Sequence, residues 1–181
     1  DSGAVAAVVE TAQHLGRVDE ARDDAPALRH VWTIDEDALA DLATAGAAVS
    51  DDDLERARAG VTSDSDATLI YTSGTTGRPK GVRLVHDCWT YDGAAVEAFE
   101  ILTRDDLQYL WLPLSHVFGK CLIAVQLKIG FASAIEGDID TLVENLGVVQ
   151  PTFMCGAPRI FEKVRSRVMT SASTGPRKRI V

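Results

Sequence analysis

The chain has 181 residues, 46% of them hydrophobic and 25% charged, with a formal net charge of −9. These values fit an ordinary soluble globular domain with one sizeable core, and they argue against a nucleic-acid surface, which needs a basic face. No apolar run approaches the roughly 18 to 20 residues of a membrane-spanning helix, and the start, DSGAVAAVVE, lacks the basic region and cleavage pattern of a signal peptide, so a cytoplasmic location is expected.

In chain order, GAVAAVVE (residues 3–10) and ALRHVWTID (27–35) are short apolar runs rich in β-branched and aromatic residues and read as strands. Between them TAQHLGRVDEARDD reads weakly as a helix and loop. EDALADLATAGAAV has helical spacing, and SDDDLERARAG opens on a Ser cap, carries acids in its first turn and ends on Gly60. VTSDSDA (61–67) is a polar linker, TLIYT a buried strand, and GVRLVH a second strand after Lys80. DCWTYDGAAVEAFEIL is helical in spacing, although Gly93 weakens it. LQYLWLPL reads as a strand until Pro113, HVFGKCLIAVQLKIG as an apolar helix ending at Gly130, FASAIE as a strand, and DIDTLVENLG as a helix with a Gly stop. VVQPTFMCG reads as a strand with Pro151 near its beginning, APRIFEKVRSRVM as a basic amphipathic helix, and the tail TSASTGPRKRIV as mobile. Repeated strand and helix alternation predicts an α/β fold with a mixed or parallel sheet covered by helices. No internal repeat is present.

The charge is unevenly placed. Residues 1–66 hold 16 acids and 5 bases, whereas 67–181 hold 11 acids and 13 bases, so an acidic α/β subregion precedes a slightly basic one. Cys88, Cys121 and Cys155 lie too far apart for a C-x-x-C pair or a compact metal site, and their apolar settings predict buried, reduced thiols. Trp89, Trp111, Phe153 and Phe161 read as core packing, and His14, His30 and His86 have structural readings. Arg159, Arg165 and Arg167 read as one solvated face of the last helix.

The densest chemistry lies in IYTSGTTGRPKG, residues 70–81. Phosphate recognition needs several converging donors, and glycine lets backbone N–H groups come close enough to supply them. Gly74 and Gly77 meet that need, Thr72, Ser73, Thr75 and Thr76 add hydroxyls, Lys80 and Arg78 offer positive charge, and Pro79 stiffens the exit. The string is not G-x-x-x-x-G-K-[ST], because Pro79 precedes Lys80-Gly81 and a strand follows in place of a helix, which disfavours a P-loop NTPase. Composition alone leaves a structural turn and a ligand loop equally open.

The whole string YTSGTTGRPKG, residues 71–81, resembles without a gap the signature of the AMP-forming adenylate synthetases, the superfamily of acyl-CoA synthetases, luciferases and nonribosomal-peptide adenylation domains. LVHDCW resembles the segment that follows that loop, with His86 matching and Val85 and Cys88 departing from the commoner T-H-x-N form. YLWLPLSHVFG and QPTFMCGAPRIFEKV are similar to later stretches of the long-chain fatty acyl-CoA synthetases, so the resemblance is firm over residues 68–169 and loose before. It implies that Thr72, Ser73, Gly74, Thr75, Thr76, Gly77 and Lys80 surround the β- and γ-phosphates of ATP, with Thr72 near Mg²⁺. It also implies that fatty acid, ATP and coenzyme A are the partners, nucleic acid is not, and peripheral membrane contact is allowed.

A histidine at a strand-to-helix junction such as His116 reads equally as a cap or a core hydrogen-bonder. The resemblance instead implies a place beside the acyl-adenylate, with a shaping and gating role, and Val117, Phe118 and Gly119 lining the acyl entrance. The aromatic gate of some long-chain members does not carry over, because Lys120 and Cys121 stand in that neighbourhood. No catalytic nucleophile is evident, and polyphosphate neutralisation needs none.

The sequence has no Y-G-x-T-E string and no T-G-D string, where the superfamily places adenine, Mg²⁺ and ribose contacts. The expectation is an internal piece of the N-terminal domain of a fatty acid–CoA ligase, with residues 1–66 and 67–181 both parts of that incomplete domain. The rest of that domain and the C-terminal domain would be missing, and the isolated chain would be inactive. A noncatalytic nucleotide-binding or interaction module, and a fragment of an aryl- or amino-acid-adenylating enzyme, stay open as alternatives.

Overall fold

The structure, a computed structural model, describes residues 2–73 and 77–174, and the chain divides into two units, Asp1–Arg83 and Leu84–Val181. In the first unit the Val-rich run becomes β1 (Ala6–Val9), which pairs in parallel with β2 (His30–Thr33) in the register Ala6 to His30 through Val9 to Thr33. Parallel neighbours need a crossover, and α1 (Ala12–Glu20) supplies it, capped where the Thr11 hydroxyl accepts the His14 N–H. Two further helices follow, α2 (Ala38–Gly46) and α3 (Asp51–Ala59). Ser50 and Asp53 form a reciprocal capping box on α3, with acids in its first turn and Arg56 and Arg58 in its last, as the helix dipole favours. The unit closes on β3 (Asp66–Thr72), paired with β4 (Lys80–Val85).

The second unit is built around β5 (Leu107–Leu110), which pairs in parallel with β6 (Ala132–Ile135) through the crossover helix α5 (Val117–Ile129). On its other edge β5 meets Phe153 in a single parallel bridge. Its residues alternate faces. Tyr109 packs with Leu142 and Ile160, and so against α6 (Leu142–Val149) and α7 (Pro158–Thr174). A separate cluster gathers Val125, Ile129 and Phe131 of the α5 side with Phe153, and with Val96 from α4 (His86–Glu97). Phe131 and Phe153 meet edge to face at 5.1 Å, a geometry that contributes about 0.5–1.5 kcal/mol beyond burial. Leu142, fully buried, contributes roughly 1.5–3 kcal/mol by the usual area scale.

The alternation of strands and helices appears as expected, with corrections at particular residues. VVQPTFMCG is not a strand: Val148 and Val149 belong to α6, and Phe153 alone forms the bridge. The Leu107 N–H bonds the Thr152 hydroxyl at 2.9 Å, and the neighbouring Pro151 has no N–H to add to a ladder. Nor does α6 stop at Gly147. It runs on to place Val149 beside Leu146 on the core cluster, and Gln150 ends it in the left-handed region at φ 48°. The tail read as mobile begins inside α7, and residues 175–181 lie outside the described ones.

The three cysteines are free, but only Cys121 and Cys155 are half-buried. Burial, then the neighbouring Asp92, pushes the Cys121 thiol up to about 11, and burial raises that of Cys155. Cys88 is exposed, because Trp89, Gly93 and Val96 take the inward positions of α4. Among the described residues no helix is long and apolar enough to cross a membrane.

Gly93 is a contact residue where α4 crosses α5, for a Cβ there would lie 2.9 Å from Lys128 Cβ and 3.1 Å from the Ala124 carbonyl. Such an approach needs a side chain of one hydrogen. We expect Gly93→Ala to destabilise the chain by about 1–3 kcal/mol through overpacking. Gly147→Ala, with nothing within 4 Å of its Cβ, should stabilise it by roughly 0.5–1 kcal/mol. Urea unfolding of the two variants checks the opposite signs.

At the end of β6, Glu136 accepts from Asn145 Nδ2 at 2.5 Å, from the Asp138 N–H at 2.9 Å and from Tyr109 Oη at 3.3 Å. The Asn145 bond, then the Asp138 N–H, hold its carboxyl below the usual glutamate value. A depressed pKa contributes stability that is present above the unfolded value of about 4.3 and is lost as pH falls through the folded one. Unfolding midpoints should therefore hold from neutral pH to that range and fall below it. Glu136→Gln should show a smaller acid loss than the parent chain.

Candidate functional site

The Gly/Thr loop joins β3 to β4. β3 ends on Thr72, Ser73 follows, and Gly77 takes a left-handed φ of 83° with open space where a Cβ would stand. Gly74, Thr75 and Thr76 lie outside the described residues. Lys80 then opens β4. Thr72, Ser73, Gly77, Arg78 and Lys80 are all exposed.

The strands decide how the loop's two ends face. A Cβ on Gly81 would meet Tyr71 Cζ at 3.2 Å and Cε1 at 3.3 Å, so the phenol ring lies over the glycine and both occupy one face of the paired strands. Successive strand residues point to opposite faces. Thr72 and Lys80, each one residue on, therefore share the other face, a hydroxyl and an ammonium at the mouth of the loop. At the far end of the pair Arg83 Nε bonds Asp66 Oδ1 at 2.6 Å, an exposed ion pair of small energetic weight.

This donor set fits an anionic polyphosphate. The ammonium brings charge, the hydroxyl brings a donor, and Gly77 has no Cβ to obstruct an approach to its own backbone. Among the described residues no group of three His, Cys, Asp or Glu gathers to hold a metal ion. A Mg²⁺ ion fits here only in the manner such ions take with nucleotides, on phosphate oxygens and water with one protein hydroxyl beside them.

The second predicted segment lies in the other unit. After β5, residues Leu112 to Ser115 make a turn in which the His116 N–H bonds the Pro113 carbonyl at 3.1 Å. His116 is the N-cap residue of α5 by its extended backbone, and its carbonyl accepts the Lys120 N–H at 3.3 Å, while its exposed side chain makes no capping bond. Leu114, Val117 and Phe118, its neighbours along the chain, are 44%, 53% and 45% exposed, an apolar stretch at this turn. Gly119 points the other way. It is buried, and a Cβ there would stand 2.5 Å from the Pro113 carbonyl oxygen and 3.0 Å from that of Leu112. The glycine thus lets the turn fold down on the first turn of α5. The turn is tied on its other side by Trp111, whose Nε1–H donates to the Cys155 carbonyl at 2.8 Å while Cζ2 closes on Gly156.

Sequence reasoning missed a groove of about 710 Å³ between α4 and α5, lined by His86, Trp89, Tyr91, Leu127 and Lys128 among others. Trp89 and Tyr91, two aromatics flanking Thr90, were its only advance sign. It also missed Tyr71 and Gly81 as a contacting pair, and Gly119 and Gly156 as packing glycines. Arg159 and Arg165 are exposed as read, whereas the side chain of Arg167 lies outside the description.

The comparison with protein families gives the chain its class. The pattern of the AMP-binding enzymes matches residues 1–179, and the chain belongs to that family. Over 185 aligned residues it is 35% identical to the long-chain-fatty-acid–CoA ligase FadD15 of Mycobacterium tuberculosis, covering 99% of this chain and 31% of that protein. The chain thus spans about a third of that relative's length. Among solved structures, VinN in complex with L-aspartate superposes with a TM-score of 0.72 at 23% identity, over 93% of this chain and 41% of that one. The O-succinylbenzoate CoA synthetase of Bacillus subtilis, in complex with ATP and magnesium ion, superposes at 0.52 with 22% identity, over 59% and 23%. Both show the same fold.

Gly119→Ala is expected to destabilise the chain by about 1–3 kcal/mol or more, since the obstructing atoms are backbone carbonyls that a rotamer change cannot move. Urea unfolding measures it. Amide spectra should place the disturbance at Leu112–His116.

Proposed function

We propose that the chain is the phosphate-binding and acyl-side segment of a long-chain fatty acid–CoA ligase, within one large N-terminal domain to which residues 1–66 and 67–181 both contribute. The observation that carries this reading is the shared face of Thr72 and Lys80 at the mouth of the Gly/Thr loop, in a chain of the AMP-binding family. Extensive likeness to a fatty acid ligase supports the substrate class. The exposed apolar stretch of Leu114, Val117 and Phe118 suits an aliphatic acid better than a charged amino acid.

In this mechanism the fatty carboxylate oxygen attacks the α-phosphorus of ATP and pyrophosphate leaves, giving acyl-adenylate. The coenzyme A thiol then takes the acyl group and AMP departs. Lys80 faces the β- and γ-phosphates and balances the charge that grows on the leaving pyrophosphate, which is electrostatic catalysis without a protein nucleophile. Thr72 donates its hydroxyl on the same face, and Ser73, Gly74, Thr75, Thr76 and Gly77 complete the cradle. Thr72 would hold a Mg²⁺ ion carried with the phosphates, and that ion would supply further charge neutralisation. His116 stands at the acyl-adenylate with Val117 and Phe118 at the acyl entrance, while Gly119 holds their turn in place. The parent enzyme would act in the cytoplasm, with peripheral membrane contact where its fatty acid partitions.

In the full-length ligase carrying this segment, Lys80→Ala should lower the rate of acid-dependent pyrophosphate release by about 10²- to 10³-fold. The fatty acid KM should change little. An unchanged rate would remove Lys80 from the site. Acyl-CoA formation by residues 1–181 alone would show that the active site is complete without further chain.

A further inference from the structure

Two residues that bracket the loop touch each other across the paired strands, and neither is one of the phosphate donors. The Tyr71 ring covers Gly81, with Cζ, Cε1 and Oη at 3.2, 3.3 and 3.5 Å from where a Cβ would stand. Tyr71 directly precedes Thr72, and Gly81 directly follows Lys80. We infer that Tyr71 is a positioning residue for polyphosphate binding: its ring, seated on Gly81, pins the loop's two ends so that Thr72 and Lys80 face the ligand together.

The physical case has three parts. In strands, a rotation that moves one side chain off its face moves its neighbour too, because successive residues alternate. A ring held against the opposite strand therefore fixes the facing of the residue beside it. Glycine suits the contact, since a Cβ at position 81 would stand 3.2 Å from Cζ and the ring would have to give by a few tenths of an ångström to admit it. Finally, Tyr71 is 46% exposed, so deep core burial does not account for the tyrosine. The two nearest atoms are ring carbons, Cζ and Cε1, so phenylalanine would keep most of the contact.

This inference rests on the phosphate reading of the loop, and the test separates the two. Magnesium tripolyphosphate is titrated into the full chain by calorimetry, with Lys80 side-chain resonances followed by NMR. Wild type should bind, and Lys80→Ala should weaken it. Tyr71→Phe should bind as wild type, whereas Tyr71→Leu and Gly81→Val should each weaken binding by about three- to tenfold. In the Lys80→Ala background Tyr71→Leu should cause a smaller further loss, because only its effect on Thr72 remains. If Gly81→Val fails to fold, Gly81→Ala carries the same direction at smaller size. Equal losses from Tyr71→Leu with and without Lys80, or none in either, would overturn the positioning role. Binding by wild type that is absent, or indifferent to Lys80→Ala, would overturn the phosphate reading and this inference with it.

Discussion

Both edges of β5 are occupied by backbone hydrogen bonds, and the second unit hangs from that fact. Leu110 gives its carbonyl to the Glu136 N–H at 2.9 Å on one side, and Tyr109 gives its N–H to the Phe153 carbonyl at 3.1 Å on the other. A strand so held must bury both faces, and it does: Tyr109 and Leu110 are each 1% exposed. The chain leaves this rigid strand at Trp111 and reaches His116 within five residues, so the turn inherits its position from β5. Trp111 bonds one neighbouring segment and Gly119 admits the turn's own carbonyls, which leaves the apolar stretch at this turn little freedom. In parallel sheets the C-terminal ends of strands are where ligands gather, and this turn lies at such an end.

Close backbone approach recurs as a device. Gly93 lets α4 cross α5, Gly119 lets a turn lie on a helix, Gly156 receives the Trp111 indole, and Gly81 receives the Tyr71 ring. Glycine costs a helix or strand about 0.5–1 kcal/mol in propensity, so in α4 the local penalty is outweighed by the packing it permits. Two of these contacts adjoin the residues assigned to chemistry. Close packing lies beside Thr72 and Lys80 and at the turn before α5, while Gly77 has open space where a Cβ would stand.

Much of this was legible in the string of residues. The strands at Ala6–Val9 and His30–Thr33, the Ser50 cap and the Gly130 stop all follow from local rules, because a cap or a left-handed glycine acts on its immediate neighbours. The strand, loop and strand around YTSGTTGRPKG were legible as well, since apolar runs flank a Gly- and Thr-rich stretch and become β3 and β4. The failures came where a local signal met a distant partner. Gly147 looked like a helix end until Val149 found the core, and QPTFM looked like a strand until the Thr152 hydroxyl took the place of a backbone acceptor. Cys88 looked buried among apolar neighbours, yet the inward positions of α4 belong to Trp89, Gly93 and Val96.

By itself the sequence determined the family and the alternation of strands and helices, since each is written in contiguous residues whose chemistry acts over a few bonds. Tertiary structure alone decided which glycines carry contacts, that Gly119 faces a turn and not an opening, and that Thr72 and Lys80 look the same way. Those facts depend on which residues meet after the chain has folded. Tyr71 and Gly81 are ten positions apart in sequence and touch only because two strands pair.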